Sequence, residues 1–294
     1  MFAYKIYLLL AEGAVFGLVA VGIFIAFRWV RFPDLTPDGS FALGACACVL
    51  VTHASRFYPL GVFAAVLAGA GGGICTAAIN RWIGVPSVVA GLLIASALYS
   101  VNWLLLDSPN LPLNIELMPF AAQSGVERAA PLALWLVGTV VLLILFFSWF
   151  ANTTLGLTLR ALGENPLLAR PLGFTETRAT FIGLALANGL VGLAGGLFVL
   201  RLYAADINMG IGITITGLAG MVLGLLIVGS AFRPWQLLTS VVVGAMIYKL
   251  LLFAALELGM PAQSFRLVSA IILAVAFLGI RHVSKDILGG LRWT

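Results

Sequence analysis

Charge is what this sequence has least of. Only 9% of its 294 residues are Asp, Glu, Lys or Arg, against 62% apolar. A soluble domain carries about 25% charged residues, so the chain lacks the polar surface that water requires. Histidine is nearly missing: His53 and His282 are the two copies, both near the ends of apolar runs, which leaves no Ser–His–Asp or Cys–His arrangement for nucleophilic chemistry. The three cysteines, Cys46, Cys48 and Cys75, lie inside apolar runs without C-x-x-C spacing, so no metal site is expected and they read as small packing residues. No G-x-x-x-x-G-K-S/T loop occurs, so no nucleotide site and no enzyme activity are expected of this chain. The net charge of +5 comes from basic residues scattered between apolar runs, where membrane topology uses them. No nucleic-acid partner is expected.

What is present is long, continuous apolar sequence. Runs of this kind, without strand alternation, specify an all-α polytopic transmembrane helical bundle. The length leaves room for about 8–10 spans, some of them broken or re-entrant, in a single domain over residues 1–294. Spans are expected at Ile6–Phe27, Phe41–Thr52, Leu60–Ile79, Pro86–Leu106, Leu132–Phe150, Ala179–Leu200, Ile211–Val228, Trp235–Leu256 and Leu267–Val283. The first has no small-residue cleavage site and reads as a retained helix. With residues 152–178 placed in the cytoplasm, that side collects Arg28, Arg31, Arg81, Arg160, Arg170, Arg178, Arg233, Arg281, Lys285 and Arg292. The outer side keeps Lys5, Arg56, Arg128, Arg201 and Arg266, a bias that puts the N-terminus outside. Glycines recur as small-xxx-small pairs, Gly13/Gly17, Gly69/Gly73, Gly192/Gly196 and Gly220/Gly224. Such pairs let helix backbones approach closely, and some can serve as gating hinges.

Two segments interrupt the apolar pattern after long helices: Phe32 to Ser40, with Pro33, Asp34, Thr36, Pro37 and Asp38, and Asp206 to Gly217, with Asn208, Met209, Thr214 and Thr216. Corresponding interruptions in two halves of a membrane chain point to a solute site. Asp34 and Asp38 either face a pathway, where a solute ammonium would pair with them, or pair with Arg28 or Arg31. Thr36, Ser40, Asn102, Asn110, Met209, Thr214 and Thr216 are the other candidate pathway residues, each with helix–helix packing as its plainer role. Glu12 and Lys249 are the charges within spans on which an ion-coupled carrier would have to rely.

The connection at about 152–178 is too apolar for a loop. Thr154 is placed to cap a short helix through Ala161, Gly163 to end it and Pro166 to start another turn. Such a helix either rests on lipid headgroups or docks into a partner. Arg160-Ala161, Gly163-x-Asn165-Pro166, Ala169 and the closing Gly173 resemble the cytoplasmic coupling segment of ABC importer permeases of the branched-chain amino acid and ribose type. More narrowly, Phe32–Phe41, Ala97–Asn102, Pro109–Leu113 and Met209–Gly212 are similar to a subgroup of amino-acid permeases, some associated with aromatic amino acids. The chain departs from that subgroup at Leu225, where an acidic residue is expected.

The resemblance implies the permease subunit of an ABC importer in a bacterial inner membrane, moving a small amino-acid-like solute inward by ATP-driven alternating access. It implies ATP and magnesium on separate ATPase subunits, a periplasmic or lipoprotein solute-binding protein, and a second copy of the permease. Leu159, Arg160, Leu162, Gly163, Glu164, Asn165, Pro166, Leu167, Leu168, Ala169 and Gly173 would form the ATPase contact. A stand-alone carrier or channel for a small solute is the alternative.

Overall fold

The computed structural model describes residues 2–117, 125–164, 175–228, 233–261 and 264–283. Ten α-helices run through these residues: α1 Phe2–Phe24, α2 Pro37–Ser55, α3 Tyr58–Ala78, α4 Ser87–Leu106, α5 Gly125–Phe150, α6 Thr154–Glu164, α7 Glu176–Leu202, α8 Ile213–Val228, α9 Pro234–Glu257 and α10 Phe265–Val283. Six of the described helices are long and apolar enough to cross a membrane, and α8 and α10 are shorter apolar helices. This is an all-α polytopic membrane bundle. Its one ribbon among the described residues pairs β1 (Asn110–Pro112) antiparallel with β2 (Ala204–Asp206).

All nine expected spans are helices, with shifted ends. The fifth starts at Gly125 rather than Leu132 and carries Pro131 inside it, where the sequence suggests a start. The second extends to Pro37–Ser55, with proline at its first helical position, where the missing N–H costs nothing. Helix α1 loosens into a π-helical turn at Ile25–Trp29, and Arg31 then adopts a left-handed conformation (φ 53°). Phe32 N–H reaches back to the Ala26 carbonyl at 2.9 Å. Such bonds satisfy carbonyls at the helix end, which lipid cannot do. Residues 30–36 therefore turn the chain into α2 without a regular element.

The packing repeats with inverted direction. Helices α1 and α7 are the most buried of the six spans. Each is followed by an irregular segment, a helix packed on the next helix, and a last helix packed outside. Helix α7 packs against α2 and α3, while α1 packs against α8 and α9. Thus each half supplies the central helix of the other, and α5 lies on α1. Arg81 donates to Thr180 at 2.8 Å and lies 3.6 Å from Glu176, fixing the start of α7 at the end of the bundle that holds Arg28 and α6. At the opposite end Lys5 pairs with Glu257 at 2.6 Å, and Arg201 faces Glu12.

The glycine pairs sit at these crossings. An added Cβ at Gly44 would meet the Gly192 Cα at 2.5 Å, and one at Gly192 would meet the Gly69 Cα at 2.9 Å. In the other half, Gly244 lies against Gly220 and Gly224. With no hydrophobic force between helices in lipid, this backbone proximity and its dispersion contacts hold the bundle together. Outward faces of α3, α4, α5 and α10 carry exposed leucines, valines and phenylalanines, among them Phe63, Leu67, Leu104, Leu142 and Leu267, as a lipid-facing surface requires.

Candidate functional site

The first break is held by a buried polar network. Asp34 is fully buried: one carboxylate oxygen accepts the Thr36 N–H at 2.8 Å and the other accepts the Asn188 amide at 2.7 Å. Asn188, from the middle of α7, accepts the Ser40 hydroxyl at 2.8 Å and also donates to the Leu184 carbonyl at 3.2 Å. Thr36 pairs with Thr76 of α3 at 2.6 Å. Gly91 of α4 lies so close that a Cβ there would meet Leu35 N at 2.6 Å and the Asp34 carboxylate at 3.0 Å. Three sequence candidates, Asp34, Thr36 and Ser40, thus lie in one cluster that ties the break to α3 and α7. Asn188 and Thr76 are its unanticipated members. A lone amide in the middle of an otherwise apolar, glycine-rich run is the signal that could have found Asn188.

Asp38 does something different. One turn further along, half-buried, it accepts the Gly212 N–H at 3.1 Å, the Thr214 N–H at 2.8 Å and the Thr214 hydroxyl at 2.7 Å. It therefore caps the start of α8 from the other half of the molecule. A carboxylate at a helix N-terminus satisfies orphan donors and meets the positive end of the helix dipole. Gly212 is left-handed (φ 85°), a conformation that favours glycine, and Gly210 abuts the Asp38 carbonyl so closely that a Cβ would not fit. The second break mirrors the first, since Asp206 accepts the Asn208 N–H at 2.6 Å, as Asp34 accepts that of Thr36. Neither Asp34 nor Asp38 pairs with Arg28 or Arg31. The Asp34 oxygens are taken by the network; those of Asp38 are held by the clasp, one of them by the single bond from Gly212, which leaves it room to accept another donor.

Beside the clasp is a cavity of about 80 Å³ between α2, α4 and the second break, lined by Asp38, Gly39, Ala42, Ala95, Tyr99, Asn102, Ile207 and Ile211. Asn102 is 1% exposed, and neither its amide nitrogen nor its oxygen has a hydrogen-bond partner among the described residues. A buried amide left unpaired is costly, and this one borders the cavity. Asp38 and Asn102 together offer a negative charge, an amide acceptor and an amide donor within one small space. The other candidates lie apart from it. Asn110 is exposed in the ribbon opposite Asp206, Met209 is half-buried in the turn, and Thr216 stands 3.5 Å from the Tyr248 hydroxyl, itself 2.6 Å from Ser269.

The second candidate region is α6. Thr153, one residue before the expected cap, accepts the Gly156 N–H at 3.3 Å. Gly163 lies inside the helix rather than ending it, pressed on the Arg28 and Trp29 carbonyls. Leu159 and Leu162 are buried against Ala179, with Phe150, Ile182 and Leu186 around them, so they face the bundle and no outside surface. Arg160 donates to the Ala151 carbonyl at 3.4 Å. The outward apolar side chains are Leu155 and Leu157, 45% and 50% exposed. Glu164 closes the helix. Its side chain, and Asn165, Pro166, Leu167, Leu168, Ala169 and Gly173, lie outside the described residues. A cavity of about 190 Å³ lies beneath α6, with Leu162, Arg31 and Arg81 in its walls.

Residues 6–277 match the model of the family described as branched-chain amino acid transport system / permease component. Among curated proteins, the chain is 28% identical to the tyrosine transport system permease protein of Clostridioides difficile (strain R20291) over 279 residues, 94% of this chain and 90% of the relative. It is 28% identical to an uncharacterized protein of Rickettsia prowazekii (strain Madrid E), over 89% of this chain and 92% of that protein. No solved structure matches significantly.

Proposed function

The chain belongs to the branched-chain amino acid transport permease family, and from that membership we propose that it is the membrane subunit of an ABC importer for an amino-acid-like solute. The family match across residues 6–277 carries this reading. The tyrosine permease relative makes an aromatic amino acid the first solute to test. Positive residues at the α6 end, Arg28, Arg81, Arg160 and Arg233 among them, support placing that end in the cytoplasm of a bacterial inner membrane, with the N-terminus outside.

In this reading, two copies of the chain pair, and solute delivered by an external binding protein enters from the end bearing Lys5 and the ribbon. Asp38 and Asn102 meet the solute's ammonium and polar head, while its side chain lies past half-exposed Tyr99 and Ile211. The clasp between Asp38 and Thr214 joins the two inverted halves, so a rocking of one half against the other must strain or break it. ATP and magnesium act on separate ATPase subunits. Their closure is received by α6 and the residues that follow it, with Leu155 and Leu157 as apolar contacts. Because Gly163, Leu159 and Leu162 seat α6 on α1 and α7, a push on α6 reaches both central helices.

The rival, a stand-alone ion-coupled carrier, draws on the Glu12, Arg201 and Lys249 cluster. Co-expression with candidate ATPase subunits separates the two readings. Stable co-purification that is lost on changing Leu155 and Leu157 to serine is expected of the permease. A chain that never captures an ATPase contradicts it.

A further inference from the structure

At the end of the bundle opposite α6, a pocket of about 260 Å³ lies among α1, α7, α9 and the start of α10. Its charges do not balance. Lys5 is matched by Glu257 at 2.6 Å. Arg201 Nε lies 3.3 Å and Lys249 Nζ 3.9 Å from the two oxygens of the same carboxylate, Glu12. Two cations therefore share one anion, and among the described residues one positive charge is in surplus. Among the described residues neither cation has a hydrogen-bond acceptor: Arg201 Nε is buried without one, and Lys249 Nζ rests 3.3 Å from the centre of the Phe16 ring. The aromatic face eases the lysine's charge but accepts no strong hydrogen bond. Unmet donors and surplus charge in a partly buried site call for an anion.

We propose that this pocket binds a singly charged oxyanion, phosphate or carboxylate, held between Arg201 and Lys249. The remaining walls are apolar, with Leu8, Leu252, Phe253 and Phe265 among them, and Leu256 is half-exposed at the rim. That lining suits an acyl chain, so an anionic phospholipid is the first source of the oxyanion and a free anion the second. The site lies apart from the Asp38 cavity, and the inference does not depend on the transport reading.

The test is the melting midpoint of the purified chain in neutral detergent, titrated with phosphatidylglycerol, with phosphatidylcholine of the same acyl chains, or with inorganic phosphate. Phosphatidylglycerol is expected to raise the midpoint and phosphatidylcholine to leave it unchanged. A full shift from phosphate alone assigns the site to a free anion. Lys249→Gln and Arg201→Gln should each weaken the phosphatidylglycerol response by about tenfold in concentration. Glu12→Gln, which removes the competing carboxylate, should strengthen it, whereas a purely structural cluster would lose stability and gain no response. No response to either anion, or a Glu12→Gln protein that responds no better than the parent, overturns the proposal.

Discussion

Exchanging the two groups of the Asp34–Asn188 pair tests how the first break is held. The Asp34 carboxylate accepts from two donors, the Thr36 N–H at 2.8 Å and the Asn188 amide at 2.7 Å. In Asp34→Asn, one oxygen and one amide replace its two oxygens, so one donor must face another donor. The lost charge-assisted bond is worth about 1.5–3 kcal/mol and the orphaned buried donor about 1–3 kcal/mol. Removing a buried charge returns part of this, leaving a net loss of roughly 2 kcal/mol. Asn188→Asp is worse, because it sets two carboxylates against each other in a buried site. The double variant restores every pairing at the contact. The asparagine introduced at position 34 accepts from Thr36 through its oxygen and donates through its amide to the new carboxylate, whose other oxygen accepts the Ser40 hydroxyl. Away from the contact, the 3.2 Å bond to Leu184 is lost and a carboxylate oxygen faces that carbonyl, a cost that the Asn188→Asp single variant shares and the cycle cancels. A double-mutant cycle by thermal unfolding in detergent should therefore show a favourable coupling of about 2 kcal/mol, within the range for contacting residues. Additive losses would refute the network. An Asp34→Asn protein with full stability and no uptake would place Asp34 on the solute instead.

Further changes probe the clasp and α6. Asp38→Ala strips three hydrogen bonds from the start of α8 and should cost about 2 kcal/mol on unfolding, with uptake lost. Thr214→Val, which removes one of the three, should cost less in the same assay. Gly163→Val drives a side chain into the Arg28 and Trp29 carbonyls. It should abolish ATPase co-purification while protease accessibility shows the spans still inserted. Leu159→Ala opens a cavity beneath α6 and should cost about 2–5 kcal/mol. Leu157→Ser leaves melting unchanged and weakens ATPase capture.

The helices were legible because uninterrupted apolar sequence in lipid has one solution. The glycine pairs were legible for a related reason: close crossings need small residues on a helical repeat, and Gly69, Gly192, Gly220 and Gly224 all sit at such crossings. Ends were less legible. Pro131 resembles a start signal, yet α5 absorbs it in its second turn. Gly163 resembles a stop, yet its missing side chain makes room for the Trp29 carbonyl, a contact with the far end of the first helix. Asp34 and Asp38 look equivalent in sequence. Only the fold separates a carboxylate enclosed by Thr36 and Asn188 from one that reaches across to Thr214. The direction in which α6 faces was hidden too, since Leu155, Leu157, Leu159 and Leu162 are one residue type, divided by the position of α7 into exposed and buried pairs.

The most direct measurement is uptake of radiolabelled tyrosine and branched-chain amino acids into proteoliposomes holding this chain with its ATPase subunits. ATP is enclosed, and the solute-binding protein is added outside. Uptake that needs ATP, the ATPase and the binding protein together, and is absent from vesicles of the chain alone, is the expected result. Concentrative uptake by the chain alone, driven by a proton or sodium gradient and indifferent to ATP, would contradict it.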